Sequence, residues 1–189
     1  MRKTTSLAFL FGAVLLLDFD KSYSLMRLSP IGIKATVKTN KLYVNASYAL
    51  QQNGDPTNQT LDVEFYILRQ IKSLKASFKY YLVAFNGSVQ NALISRTVDV
   101  CSYMRRPSSD RLVNLVYSHV QRLGHIPSKC PIEPGQYYFR NLRTADLQFP
   151  IFLPESEFML ECVYYSSTTQ NVYAEFRYYG KLTRFTYLP

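Results

Sequence analysis

The chain has 189 residues, 47% of them hydrophobic, which is one domain's worth of sequence with enough apolar content to bury a core. Its 22 lysines and arginines against 13 acidic residues give a net charge of +9, which would suit nucleic acid or membrane headgroups, but the cations are scattered and Arg105-Arg106 is the only adjacent pair beyond residue 24. A dispersed basic surface is the better reading, and seven glycines with no G-x-S-x-G elbow or glycine-rich run exclude a phosphate-cradling loop.

Residues 1–24 read as a signal peptide. Arg2 and Lys3 form a basic start, Leu7 to Leu17 an apolar core interrupted by Gly12, and Ser22 and Ser24 the small residues before a cleavage site. This apolar run is too short for a bilayer, which needs about 20 residues, and no later segment approaches that length, so stable membrane insertion is not expected. Three sequons fit a secretory route: Asn45-Ala46-Ser47, Asn58-Gln59-Thr60 and Asn86-Gly87-Ser88. Secretion removes most reason to meet nucleic acid. Residues 25–189 then form a single domain.

Strand patterning begins at Leu42, where Leu42, Val44, Ala46, Tyr48 and Leu50 alternate with Tyr43, Asn45 and Ser47, placing Asn45 on the polar side. The tract from Gln51 to Asn58 is dense in turn formers. Leu61 to Leu68 alternates again, and Ala76 to Phe85 ends at Asn86-Gly87, a hairpin signal that pairs it with Leu93 to Cys101. The amphipathic helix follows. Pro107 to Asp110 supplies a breaker and caps, Leu112, Leu115, Val116, Val120 and Leu123 recur at helical spacing, and Gly124 is the expected stop. Further strands are expected at Gln136–Leu142, Phe158–Tyr165 and Asn171–Tyr187, the last broken at Gly180-Lys181. About eight antiparallel strands with one helix predict a mainly β sandwich or cup.

Cys101 and Cys130 bracket the helix, and if they pair they staple it to its surroundings. Cys162 shares a strand face with Phe158, Leu160 and Tyr164, where a buried free thiol behaves as a small hydrophobe. The expected disulfide is therefore Cys101 to Cys130, with a bridge between chains or a bond from Cys162 to one of the others as alternatives.

Catalysis has no visible carrier. His119 and His125 lack metal-ligand neighbours, and Asp99, Glu155 and Glu157 are isolated carboxylates of the kind usually found at strand ends. No catalytic residue, metal or cofactor is expected. The 16 tyrosines and 12 phenylalanines are the remaining signal, with adjacent pairs Tyr80-Tyr81, Tyr137-Tyr138, Tyr164-Tyr165 and Tyr178-Tyr179 that on a strand place one ring inward and one outward.

The order Asp99-Val100-Cys101, amphipathic helix, Pro127-x-x-Cys130-Pro131, Tyr138-x-x-Asn141-Leu142 and Phe152-Leu153-Pro154-Glu155 resembles a large insect family of secreted, mostly uncharacterised proteins. That family is similar to chemosensory proteins related to the ganglioside-activator and ML lipid-recognition group. This chain departs from its pattern in lacking two cysteines near the mature N-terminus and in carrying Cys162. The resemblance implies an apolar cavity with a lipid-like or pheromone-like ligand. On strand alternation, Phe65, Phe78, Leu160 and Phe176 are the expected lining. Such a secreted binder would have a hydrophobic small molecule or lipid as partner, with an extracellular receptor as a second expected partner. The alternative is an extracellular interaction module with a filled core and a tyrosine-rich contact surface.

Overall fold

A computed structural model describes residues 25–187 except 56, 57, 85, 108, 109, 148, 150 and 151. The expected signal peptide lies outside these residues. Two compact units are distinguished, residues 28–185 and a small unit made of both chain ends, of which only the tips of the first and last strands are described.

The strands are β1 (Leu25–Thr39), β2 (Val44–Gln52), β3 (Gln59–Ile67), β4 (Lys75–Val83), β5 (Val89–Asp99), β6 (Gly124–His125), β7 (Gly135–Arg143), β8 (Ser156–Tyr165) and β9 (Val172–Tyr187). Helices α1 (Val100–Arg105) and α2 (Arg111–Gln121) lie between β5 and β6. One sheet has the order β1-β9-β8-β4-β5 and the other β2-β3-β7-β6. The expected mainly β architecture is present as two sheets.

Four details differ from the sequence reading. β1 was not expected, because it lacks clean alternation: Ser29 and Pro30 are buried with Leu28, while Ile33 is 56% exposed. The strand expected to reach Cys101 stops at Asp99, whose carboxylate accepts from Ser102 N at 2.7 Å and caps the unexpected α1. Gly124 does not stop α2, which ends at Gln121. It starts β6, where a Cβ would lie 2.1 Å from the Tyr138 carbonyl oxygen on β7. Gly180 does not break β9, because a side chain there would meet Ile31 O at 2.7 Å and the Phe158 ring at 2.9 Å, so the glycine permits close packing inside a continuous strand. The start of α2 was legible: Asp110 Oδ1 accepts from Val113 N.

Cys101 and Cys130 are joined, with 5.5 Å between their Cα atoms, and Cys162 is free and buried. Burial, and secondarily the neighbouring Glu161 charge, push the Cys162 thiol up to about 12, which keeps it protonated and inert at neutral pH. Two clusters of buried side chains form among the described residues. One contains Leu28, Ala35, Tyr80, Leu153, Phe158, Tyr178 and Leu182, the other Val44, Ile67, Ile71, Leu74, Ile132 and Tyr173.

Candidate functional site

One side of the sandwich is closed by polar side chains. Gln59, the first residue of β3 and fully buried, accepts from Gly32 N at 2.5 Å and donates to Gly32 O at 2.9 Å, occupying the free edge of β1 as a neighbouring strand would. Tyr48 donates its hydroxyl to Ala35 O, and Thr144 donates to Pro30 O at 3.3 Å. The Tyr48 ring also meets Phe176 edge-on at 6.3 Å, and Tyr43 meets Tyr173 at 5.1 Å, so β2 is held over β9.

The opposite side is built differently. β5 is the other edge of the five-stranded sheet, and between Val89 and Thr97 only Ile94 is even half-buried. An open cleft of about 590 Å³ lies beside its irregular pairing with β4, lined by Leu82 and residues Val89 to Leu93. From β5 the chain crosses through α1 and α2 to β6, the edge of the other sheet, so the two helices bridge the sheets opposite the sealed β1 side. The disulfide fastens α1 to the segment before β7. Arg96 shares the inner face of β5 with Phe78, its register partner on β4, and pairs with Asp110 at the head of α2 at 3.4 Å.

The four expected lining residues all point inward. Phe78, Cys162 and Phe176 share one rung across β4, β8 and β9, Leu160 lies on the next rung between Tyr80 and Tyr178, and Phe65 lies opposite Ala46 and Tyr137 in the other sheet. They are not gathered into one wall. Leu160 and Phe176 pack against the first buried cluster, Phe65 packs against the second, and Phe78 belongs to neither, touching Tyr164 edge-on at 6.5 Å. All four, with Val63, Phe139 and Ala46, are only half-buried, whereas both clusters are closed. Neither of the two clefts described includes any of the four. The second, about 140 Å³, lies between His125 and Tyr137.

The tyrosine pairs alternate as expected where both members are placed. Tyr80 and Tyr178 are 4% exposed, while Lys34 covers the outward Tyr179 ring. Burial pushes the Tyr80 and Tyr178 phenols up to about 12 against the weaker, lowering influence of Ser156 and Thr144, but among the described residues neither hydroxyl attains hydrogen-bond geometry with a partner. The isolated carboxylates have structural work: Asp99 caps α1, and Glu155 accepts from Arg184 N at 2.6 Å. His125 stacks on Tyr137 at 5.2 Å. Among the described residues no cluster of three or more His, Cys, Asp or Glu could hold a metal, and no helix is long and apolar enough to cross a membrane. Gln59, Thr144 and the Arg96–Asp110 pair were not singled out by sequence. Gln59 reads only as the middle of a sequon, and nothing local marks it as buried.

Residues 74–160 match a family model described as "Protein of unknown function (DUF1091)". The matched span runs from the start of β4 into β8 and includes both helices and the Cys101–Cys130 staple. Among solved structures, a crystal structure of chicken MD-1 complexed with lipid IVa is similar at 13% identity, covering 83% of this chain and 98% of that chain with a TM-score of 0.39. The comparison with curated proteins gives no match.

Proposed function

We propose that this chain is a secreted, non-enzymatic binder of an apolar small molecule of lipid-like or pheromone-like chemistry, held between the two sheets and admitted on the β5–α2–β6 side. The observation that carries the reading is the contrast within the sandwich. Mid-strand aromatic and aliphatic residues on both inner faces keep accessible surface between two closed clusters, while the polar seals stand on the β1 side. Apolar surface of this kind gains about 25 cal/mol for each Å² that a ligand removes from water. The Arg96–Asp110 pair supplies a polar rim where the helices cross. An oxidising compartment suits the disulfide, and the sequons suit the same route. The absence of catalysis is part of the proposal, supported by the structural employment of Asp99 and Glu155.

Phe78 tests it, as the one expected lining residue that belongs to neither cluster. Phe78→Ala should cost about 1 kcal/mol of stability, well short of the 3 to 5 typical of a packed core. Uptake of a fluorescent fatty acid should weaken by about tenfold, the equivalent of one well-packed side chain. A loss of full core size, with no probe bound by the wild type, would instead support the filled-core interaction module.

A further inference from the structure

On the outer face of the four-stranded sheet, β3 presents an aromatic ring with nothing on it. Tyr66 is 49% exposed, and among the described residues no side-chain hydrogen bond, ring contact or cation contact engages it. Other outward rings are covered: Tyr138 by Arg140 at 4.9 Å and Tyr179 by Lys34 at 4.6 Å. Leu68, two residues further along the same face, is also exposed, at 41%. A cover over these two side chains would remove apolar surface from water.

The register supplies one. Asn45 on β2 is the direct cross-strand partner of Tyr66, is exposed, and opens the sequon Asn45-Ala46-Ser47. Directly opposed residues on one face of an antiparallel pair have Cβ atoms about 4.5–5.5 Å apart. A sugar on the Asn45 amide nitrogen therefore starts within one ring's width of the phenol. The first N-acetylglucosamine of an N-glycan has a face of C–H groups carrying slight positive charge, which matches the negative face of an aromatic ring. Its acetamide and hydroxyls would remain in water. Asn45 makes no hydrogen bond among the described residues that would have to break, and β2 is an edge strand with open solvent on its far side. The other two sequons are engaged locally. Asn86 lies in a turn, its side chain accepting from Ser88 N and Ser88 Oγ, and Asn58 donates to Asn53 O.

We infer that Asn45 is N-glycosylated and that Tyr66 is the platform on which its proximal sugar packs, so that the glycan covers Tyr66 and Leu68. This is independent of what lies between the sheets.

The test uses the full chain secreted from insect cells, with Ser47→Ala removing the sequon while leaving Asn45 in place. Glycopeptide mass spectrometry should find sugar at Asn45. Thermal unfolding of the wild type, Tyr66→Ala, Ser47→Ala and the double variant should show coupling: Tyr66→Ala lowers Tm by about 2–4 °C more when the glycan is present than when it is absent. Tyr66→Phe, which keeps the ring, should behave as wild type, and trimming the glycan to its first sugar should leave the coupling intact. An unmodified Asn45, or equal Tm losses in both backgrounds, would overturn the inference. So would glycosylated wild type that self-associates through Tyr66, since a second copy would then be the cover.

Discussion

Cys101→Ser combined with Cys130→Ser is expected to cost the protein about 3 to 4 kcal/mol. The bond spans a sequence separation of 29 and encloses α1, α2 and β6, so its removal returns the conformational freedom of that whole loop to the unfolded chain. The helices are also held by packing: Val100 and Met104 lie against the second buried cluster, and the buried Tyr103 ring meets Tyr117 edge-on while its hydroxyl donates to Asn114 at 3.1 Å. Both cysteines pack against the second buried cluster, and beyond that α1 is tied by the Asp99 cap and α2 by the Arg96–Asp110 pair and the Tyr117 hydroxyl on Pro127 O at 2.8 Å. For a domain of this size each kcal/mol moves Tm by about 2–4 °C, so the double variant should melt roughly 10 °C below the wild type. Thermal unfolding of the two secreted proteins side by side is the check. A shift within 1 °C would mean that the crossing on the β5 side is held by packing alone.

Gln59→Ala should be nearly as damaging for a different reason. The side chain is fully buried and satisfies both backbone groups of Gly32. Truncation leaves a buried N–H and a buried C=O without partners and opens a small void, together about 2–4 kcal/mol. Gln59→Leu separates the two contributions. It fills the volume yet leaves both Gly32 groups orphaned, so it should recover little of the loss. Both substitutions keep the Asn58 sequon intact, so glycosylation there is not a confounding change. Urea unfolding at equilibrium measures the difference. If Gln59→Leu restores wild-type stability, the contribution of Gln59 is volume, and β1 is not sealed by hydrogen bonding.

The sequence carried the sheets well and their closure poorly. Alternation in β2, β3, β4 and β8 picks out inward residues such as Val44, Ile67, Ala76, Tyr80 and Phe158, although Met159 and the start of β3 from Gln59 to Leu61 are buried out of step with it. β1 was invisible because its buried residues include Ser29, Pro30 and Gly32, and Gly32 is there for close approach to Gln59 and Tyr178 and not for hydrophobicity. Gly124 and Gly180 read as stop and break, yet each marks a point where backbone or ring comes too near for a side chain. The cysteine pairing was legible because only one of the three thiols sits on an apolar strand face. The inward direction of Phe65, Phe78, Leu160 and Phe176 was legible for the same reason. Their division between two clusters was not, since it depends on how far the sheets stand apart, which no local pattern encodes. Gln59 and Arg96 act through partners 27 and 14 residues away, beyond any local spacing rule.

Native mass spectrometry of the protein secreted from insect cells tests the central claim most directly. The account predicts a mass excess over the glycosylated polypeptide, removable by organic extraction and restored by incubation with a fatty acid or a long-chain hydrocarbon. A secreted protein that carries no extractable molecule and binds neither probe would contradict it, leaving a sandwich whose inner faces close on each other.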